Sequence, residues 1–323
     1  MDISAKLAEE LNIKKSQAEA TIKLIDEGNT IPFIARYRKE VTGALNDEIL
    51  RNLYERLTYL RNLEDKKQSV LGSIEEQGKL TEELKARIEA AETLVVLEDL
   101  YRPYKQKRKT RASVAKEKGL EPLAAYILEQ NAAAPLIETA QAYVDAEKGV
   151  ADAKEAIDGA KDIIAEQISD EADYRIYIRN LTFEEGKIVS TAKDEKEQSV
   201  YENYYAYEEP IKKVVGHRIL ALNRGEREGA LKVSLSVDRD EALQCIRRGV
   251  VKPGSPAMEF IKSVCDDSYD RLLEPSMERE LRTALTDTAN EQAIHNFALN
   301  LRPLLMQPPV KGAVTMGLDP GYS

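Results

Sequence analysis

Leu281, Leu285, Ala289, Ala293, Phe297 and Leu301 recur every fourth position near the end of the chain. Strands in globular proteins seldom exceed about ten residues, so a run of this length reads as one long helix. Its apolar stripe would make it a strut for other elements. The same reading extends upstream. Ile3, Leu7 and Leu11 form a first stripe, and a second helix runs from about Lys14 to Glu27. That helix stops at Gly28, the residue best suited to a left-handed closing conformation. Pro32 opens FIARYRKE at a position where a helix needs no N–H. Asn46 is placed to cap DEILRNLYERLTYLRNLEDKK, whose Ile49, Leu53, Leu57 and Leu60 share a face. Three short helices joined by tight turns resemble a helix-turn-helix arrangement, although the spacing fits any helical bundle as well.

Further along, Thr81 is placed to cap one helix through LKARIEAAETLVVLEDLY. The basic segment RPYKQKRKTRASVAKEKG reads as a loop, and residues 120–180 return to Ala-rich helix broken at Pro135. FEEGKIVSTA reads as a turn and short strand over 183–192. In ALKVSLSVD, Leu231, Val233, Leu235 and Val237 alternate at period two, as a half-buried strand requires. Pro303, Pro308 and Pro309 are expected to end the long helix. Residues 313–318 then read as a strand leading into a Pro-Gly turn. A strand needs neighbours for its backbone donors and acceptors, so the chain is expected to stop inside its next domain. The fold class predicted is mainly α, with a multi-helix domain over 1–190. A long-helix framework with a short β segment follows over 191–312, and 313–323 forms the start of a further domain.

At 323 residues the chain exceeds what one core usually serves, which predicts two compact units. No apolar run reaches the roughly 18 residues of a membrane span. The start, MDISAKLAEELNIKK, has no apolar signal region, so a cytoplasmic protein is expected. Cys245, Cys265, His217 and His295 stand singly, which excludes the usual zinc spacings. No Gly-rich phosphate loop and no sequence-adjacent nucleophile and base are present. No cofactor or metal is expected.

The net charge of −10 is unevenly spread. Counted along the sequence, residues 1–100 carry −5, 101–118 carry +7, 119–210 carry −13, 211–255 carry +5 and 256–323 carry −4. A basic island can meet phosphate locally because acids beyond a Debye length of about 8 Å are largely screened. Within 101–118, Arg102, Lys105, Lys107, Arg108, Lys109, Arg111, Lys116 and Lys118 face only Glu117. Tyr101 and Tyr104 could stack on unpaired bases. The competing reading is a basic loop docked on the protein's own acidic helices. Arg36, Arg38 and Lys39 form a smaller cluster, to be weighed against exposed ion pairs beside Glu40 or an internal contact. The island of Lys212, Lys213, His217, Arg218, Arg224 and Arg227, partly neutralised by Glu226 and Glu228, reads as structural salt bridges or a subdomain joint and not as a ligand site.

Several segments resemble one family in order along the whole chain. GNTIPFIARYRKEVTGALNDEILRNL and SIEEQGKLTEELKARIEAAETLVVLEDLYRPYKQKRKTRASVAKEKGLEPLA are similar to the N-terminal region of bacterial Tex proteins. YENYYAYEEPIKKVVGHRILALNRGEREGALKVSL resembles their central region. LLEPSMERELR, NLRPLLMQPPVKG and MGLDPGYS resemble the lead into a YqgF/RNase H-like domain. The resemblance implies a helical N-terminal domain with a helix-turn-helix-like element and a long-helix framework. In the family these precede an RNase H-like domain, a helix-hairpin-helix module and an OB-type RNA-binding domain. It further implies RNA or DNA as partner and a role in transcription. The later modules lie beyond Ser323, so this chain is expected to be a non-enzymatic scaffold that positions them. The alternative is a protein-interaction module docking RNA polymerase or the ribosome, with no membrane involved. By the same resemblance Asp319 stands where RNase H-like nucleases place a metal-binding Asp. That chemistry needs several carboxylates around two ions, so Asp319 alone reads as a turn residue and a nuclease only as a longer chain.

Overall fold

The computed structural model describes residues 2–131, 135–194, 196, 198–308, 311–314 and 316–318. The fold is mainly helical with a small antiparallel sheet, as the periodicities require. Two compact units interleave along the chain: Met1–Ile176 with Val250–Cys265, and Tyr177–Gly249 with Asp266–Ser323.

The first unit starts with α1 (Ile3–Glu10), α2 (Lys15–Asp26), α3 (Ile31–Tyr37) and α4 (Lys39–Thr42), arranged along α5 (Asp47–Glu76). Gly28 takes φ +86° just past α2, where a side chain would be strained. The Asn46 side chain accepts from Ile49 N at 2.8 Å and starts α5. Leu7 and Ala18 bury against Leu53, Leu57 and Leu60, while Ile34 and Leu24 bury against Leu50. The far end of α5 packs through Leu63, Val70 and Ile74 on α6 (Glu82–Ala90) and α7 (Leu94–Tyr101).

The segment 82–101, read as one helix, is thus two. Thr93 starts the second by accepting from Val96 N at 3.3 Å. The break is held from outside: buried Lys67 donates to the Glu89 carbonyl at 2.8 Å and to Glu64 at 2.9 Å. The Tyr59 hydroxyl accepts from Leu94 N at 3.1 Å. These partners satisfy a helix end and a helix start that would otherwise be left unpaired in the core.

A single-turn 3-10 segment at Arg102–Tyr104 leads to α8 (Arg111–Glu117), α9 (Glu121–Glu129), α10 (Leu136–Gln141) and α11 (Ala153–Asp170). The expectation of a loop through 118 is therefore corrected. Thr110 and Ser113 cap each other's backbone N–H at 2.8 and 3.0 Å, and that reciprocal box nucleates α8. α12 (Ala172–Glu185) follows; its buried Arg175 donates to buried Asp99 on α7 at 2.6 Å.

In the second unit β1 (Lys187–Ala192) lies between β2 (Ala206–Pro210) and β3 (Leu231–Ser236), both antiparallel to it. α13 (Gly216–Arg227) and α16 (Glu274–Leu305) supply the cover for this sheet. α14 (Arg239–Val250) lies between them in the chain, and a π-helical turn at Tyr269–Leu273 precedes α16, whereas α15 (Met258–Ser268) falls mostly in the returning Val250–Cys265 segment of the first unit. Ile188, Leu231 and Val233 bury with Leu222 of α13 and Ala289 of α16. α16 carries on through Pro303 and ends at Leu305, ahead of Pro308 and Pro309 in the proline cluster expected to stop it. Pro303 removes one backbone donor from the last turn without stopping the helix, and Met306 N still donates to the Arg302 carbonyl at 3.0 Å. The described residues within 313–318 form no strand; Val314, Met316 and Leu318 stand exposed without a neighbouring strand. Asp319 and the Pro-Gly turn lie outside the described residues.

Candidate nucleic-acid interface

The basic segment is carried by the junction of α7, the 3-10 turn and α8. Tyr101 and Tyr104 are half-buried against the core formed by Leu63, Val70 and Leu97. The Tyr101 hydroxyl shares a hydrogen bond of 3.0 Å with Ser73 Oγ, and the Tyr104 carbonyl accepts from Gln77 Nε2 at 3.0 Å. Both rings anchor the turn to the core.

Several of the cations are met by the protein's own acids. Arg102 Nε donates to Asp170 at 3.0 Å, and Lys107 Nζ bonds the second oxygen of the same carboxylate. Lys107 also lies 3.5 Å from Glu166. Lys105 pairs with Glu98 at 3.3 Å, Lys116 with Glu121 at 3.6 Å and Lys118 with Glu155 at 2.7 Å. The Lys118 ammonium, helped by the Ala151 N–H, holds the Glu155 carboxyl below the ordinary range. Asp170 is only 6% exposed, and burial pushes its carboxyl above the ordinary range despite the two cations beside it.

Arg108, Lys109 and Arg111 differ. All three are exposed, and among the described residues none pairs with a carboxylate. Lys109 and Arg111 edge a groove of about 460 Å³ between α8 and α11, whose floor includes Leu120 and Gly159. Lys105, Lys107 and Lys116 edge a second groove of about 520 Å³ with Glu166 and Asp170 opposite. The segment thus divides into cations that bind the loop to α7 and α11 and a short run that faces solvent.

Arg36, Arg38 and Lys39 fall at the corner between α3 and α4. Among the described residues none forms an ion pair, and Glu40 beside them forms none either. The Arg36 guanidinium lies 5.9 Å from the Tyr37 ring centre and that of Arg38 5.1 Å from the Phe33 ring. Reading the charges alone passes over those two rings. Their i, i+4 spacing around buried Ile34 was the signal, since Ile34 takes the core and leaves 33 and 37 outside.

In the second basic island Lys212, Arg218 and Arg224 pair with Glu184, Glu209 and Glu228 at 2.8, 2.7 and 2.8 Å. His217 and His295 are exposed. Cys245 and Cys265 are not joined in a disulfide, and the second is buried. Among the described residues no three His, Cys, Asp or Glu side chains gather to hold a metal ion, and no helix is long and apolar enough to cross a membrane.

These features define a mainly helical protein with a small antiparallel sheet and a cationic segment ahead of α8. Residues 1–75 match the Tex-like protein N-terminal domain, and residues 131–297 match the Tex central region-like family. The chain belongs to the Tex family. It is 48% identical over 324 residues to YdcI of Bacillus subtilis (strain 168), covering 99% of this chain and 45% of that protein. It is 40% identical over 333 residues to the transcriptional accessory protein Tex of Neisseria gonorrhoeae, covering 100% and 43%. The human S1 RNA-binding domain-containing protein 1 is 32% identical over 337 residues, covering 99% and 34%. The chain therefore spans less than half the length of each of these relatives.

Proposed function

We propose that the chain is a non-enzymatic scaffold from a cytoplasmic transcription accessory factor, and that it contacts RNA or DNA backbone through the loop ahead of α8. The observation that carries this reading is the solvent-facing run of Arg108, Lys109 and Arg111, free of ion pairs among the described residues. Phosphate contacts need several desolvatable cations at short spacing, and cations already paired with carboxylates contribute little. The paired members, Arg102, Lys105, Lys107 and Lys118, fix the loop on α7 and α11 and present that run at small entropic cost. The relatives' names, a transcriptional accessory protein and an S1 RNA-binding domain protein, support nucleic acid as the ligand class.

The test is a salt titration of binding to a labelled single strand. Each single-strand phosphate contact contributes about 0.7 to the slope of log affinity against log salt. Replacing Arg108, Lys109 and Arg111 with Gln is expected to flatten that slope by about 2. An unchanged slope in a variant that melts like the parent would remove the reading.

A second reading is docking on RNA polymerase or the ribosome. It is favoured by exposed Ile294, Phe297, Leu304 and Leu305 on α16, which are 60% or more exposed. Co-purification with polymerase by a chain lacking any RNA or DNA affinity would select it. A metal-dependent nuclease belongs only to a longer chain that surrounds Asp319 with further acids.

A further inference from the structure

We propose that the outer face of α3 and α4 binds single-stranded nucleic acid, with unpaired bases stacking on Phe33 and Tyr37 and phosphates facing Arg36, Arg38 and Lys39. The inference rests on the nucleic-acid reading above, but it concerns a different surface and a different chemistry.

The face is apolar without being core. α3 gives its buried contact through Ile34, which is fully inaccessible. Phe33, Tyr37 and Val41, spaced four residues apart, are 36, 56 and 46% exposed. Leaving two aromatic rings and a valine in water forgoes burial that core positions gain, so the patch reads as a surface awaiting an occupant. The rings are 5.3 Å apart between centres and tilted by 48°. They thus present two neighbouring platforms rather than one stacked pair.

The charges name the occupant. Three cations interleave with the rings, while Glu40 is the lone acid between positions 31 and 42. Among the described residues neither the cations nor Glu40 are paired. Arg38 and Arg36 rest against the Phe33 and Tyr37 rings, and Arg38 Nη1 donates to the Tyr37 carbonyl at 3.1 Å. Their guanidinium groups are therefore held beside the rings before any ligand arrives, which lowers the ordering cost of binding. Flat apolar platforms interleaved with unneutralised cations match a ligand that alternates π-faces with phosphates. A duplex hides its base faces in the stack and offers only phosphate. The ring-bearing face therefore favours the single strand.

The experiment compares a labelled oligouridine of about a dozen nucleotides with a blunt RNA duplex of equal length, by fluorescence anisotropy on the full 323-residue chain. Phe33→Ala with Tyr37→Ala is expected to weaken single-strand binding roughly fivefold or more per lost stack, and to leave duplex binding and the salt slope unchanged. Arg36→Gln, Arg38→Gln and Lys39→Gln together should flatten the single-strand slope by about 2. Phe33→Leu with Tyr37→Leu keeps apolar bulk without a ring face. It should show the same selective loss if the Ala variant melts early. Equal losses on strand and duplex, or no loss with either ring variant, would overturn the proposal. If only the Arg108, Lys109 and Arg111 variant weakens binding, this face fails while the loop stands. If the parent chain binds no strand, both fail together.

Discussion

Asp170→Asn should make the protein bind nucleic acid more tightly and with a steeper salt dependence. The carboxylate is 6% exposed and holds Arg102 Nε at 3.0 Å and the Lys107 ammonium on its other oxygen. Those two cations are themselves partly open to water, with side chains 40 and 26% exposed. Asparagine keeps the shape and can still accept one hydrogen bond, but it no longer neutralises them. Released cations can turn outward, so the stability loss should stay near that of a partly exposed ion pair, about 1 kcal/mol. Two additional single-strand phosphate contacts would steepen the slope of log affinity against log salt by about 1.4. Between roughly 50 and 200 mM salt, that amounts to about sevenfold more affinity lost than in the parent. Anisotropy titrations at four salt concentrations measure it, with thermal melting as the fold control. A slope equal to the parent's, or weaker binding at low salt with an intact melt, would refute the idea that Asp170 withholds charge from the loop.

Two further outcomes follow from named groups. Burial raises the Asp170 carboxyl above 3.8, so at fixed salt single-strand affinity should rise as pH falls through that raised value, and Asp170→Asn should abolish the response. The sign for stability agrees: the neutral form is favoured in the fold, so its contribution is present at low pH and lost as pH rises through the folded value. Gly225→Ala would place a methyl 2.6 Å from Leu231 Cδ1 and 3.0 Å from Tyr201 Cδ1. Overpacking the α13–β3 contact in this way should cost about 1–3 kcal/mol, read from denaturant unfolding; an unshifted midpoint would show that the sheet yields freely.

Several signals in which a residue acts on nearby backbone were legible, although the Thr110–Ser113 box that starts α8 was passed over. Asn46 caps α5, Thr81 accepts from Leu84 N at 3.2 Å to start α6, and Gly28 closes α2. The alternation of Leu231 and Val233 does locate β3. Signals failed where the deciding partner is remote. The break between α6 and α7 depends on Lys67, which reaches a carbonyl 22 residues away. β2 escaped notice because AYEEP carries no apolar alternation and is defined by pairing with β1. The same division runs through the basic segment. Its net charge is visible in the sequence, but Lys107 and Arg102 meet Asp170 across 63 and 68 residues. Which cations remain free is therefore decided by tertiary packing. At the α3–α4 corner the charges were noticed, while the exposure of Phe33 and Tyr37 follows from Ile34 being the residue of α3 that enters the core.

Gln130 gives the first unit an unusual timetable. It sits at φ +55° at the end of α9, and its side chain donates to the Val250 carbonyl at 2.7 Å and accepts from Lys252 N at 2.9 Å. Ser255 Oγ returns to the Gln130 carbonyl at 2.8 Å. The residues that close this clasp are 120 to 125 positions further along the chain. At translation speeds of about 5–20 residues per second, they emerge about 6–24 s after Gln130 itself. Until then the nascent helices wait with that end unfastened, and a chain cut before residue 250 would never fasten it.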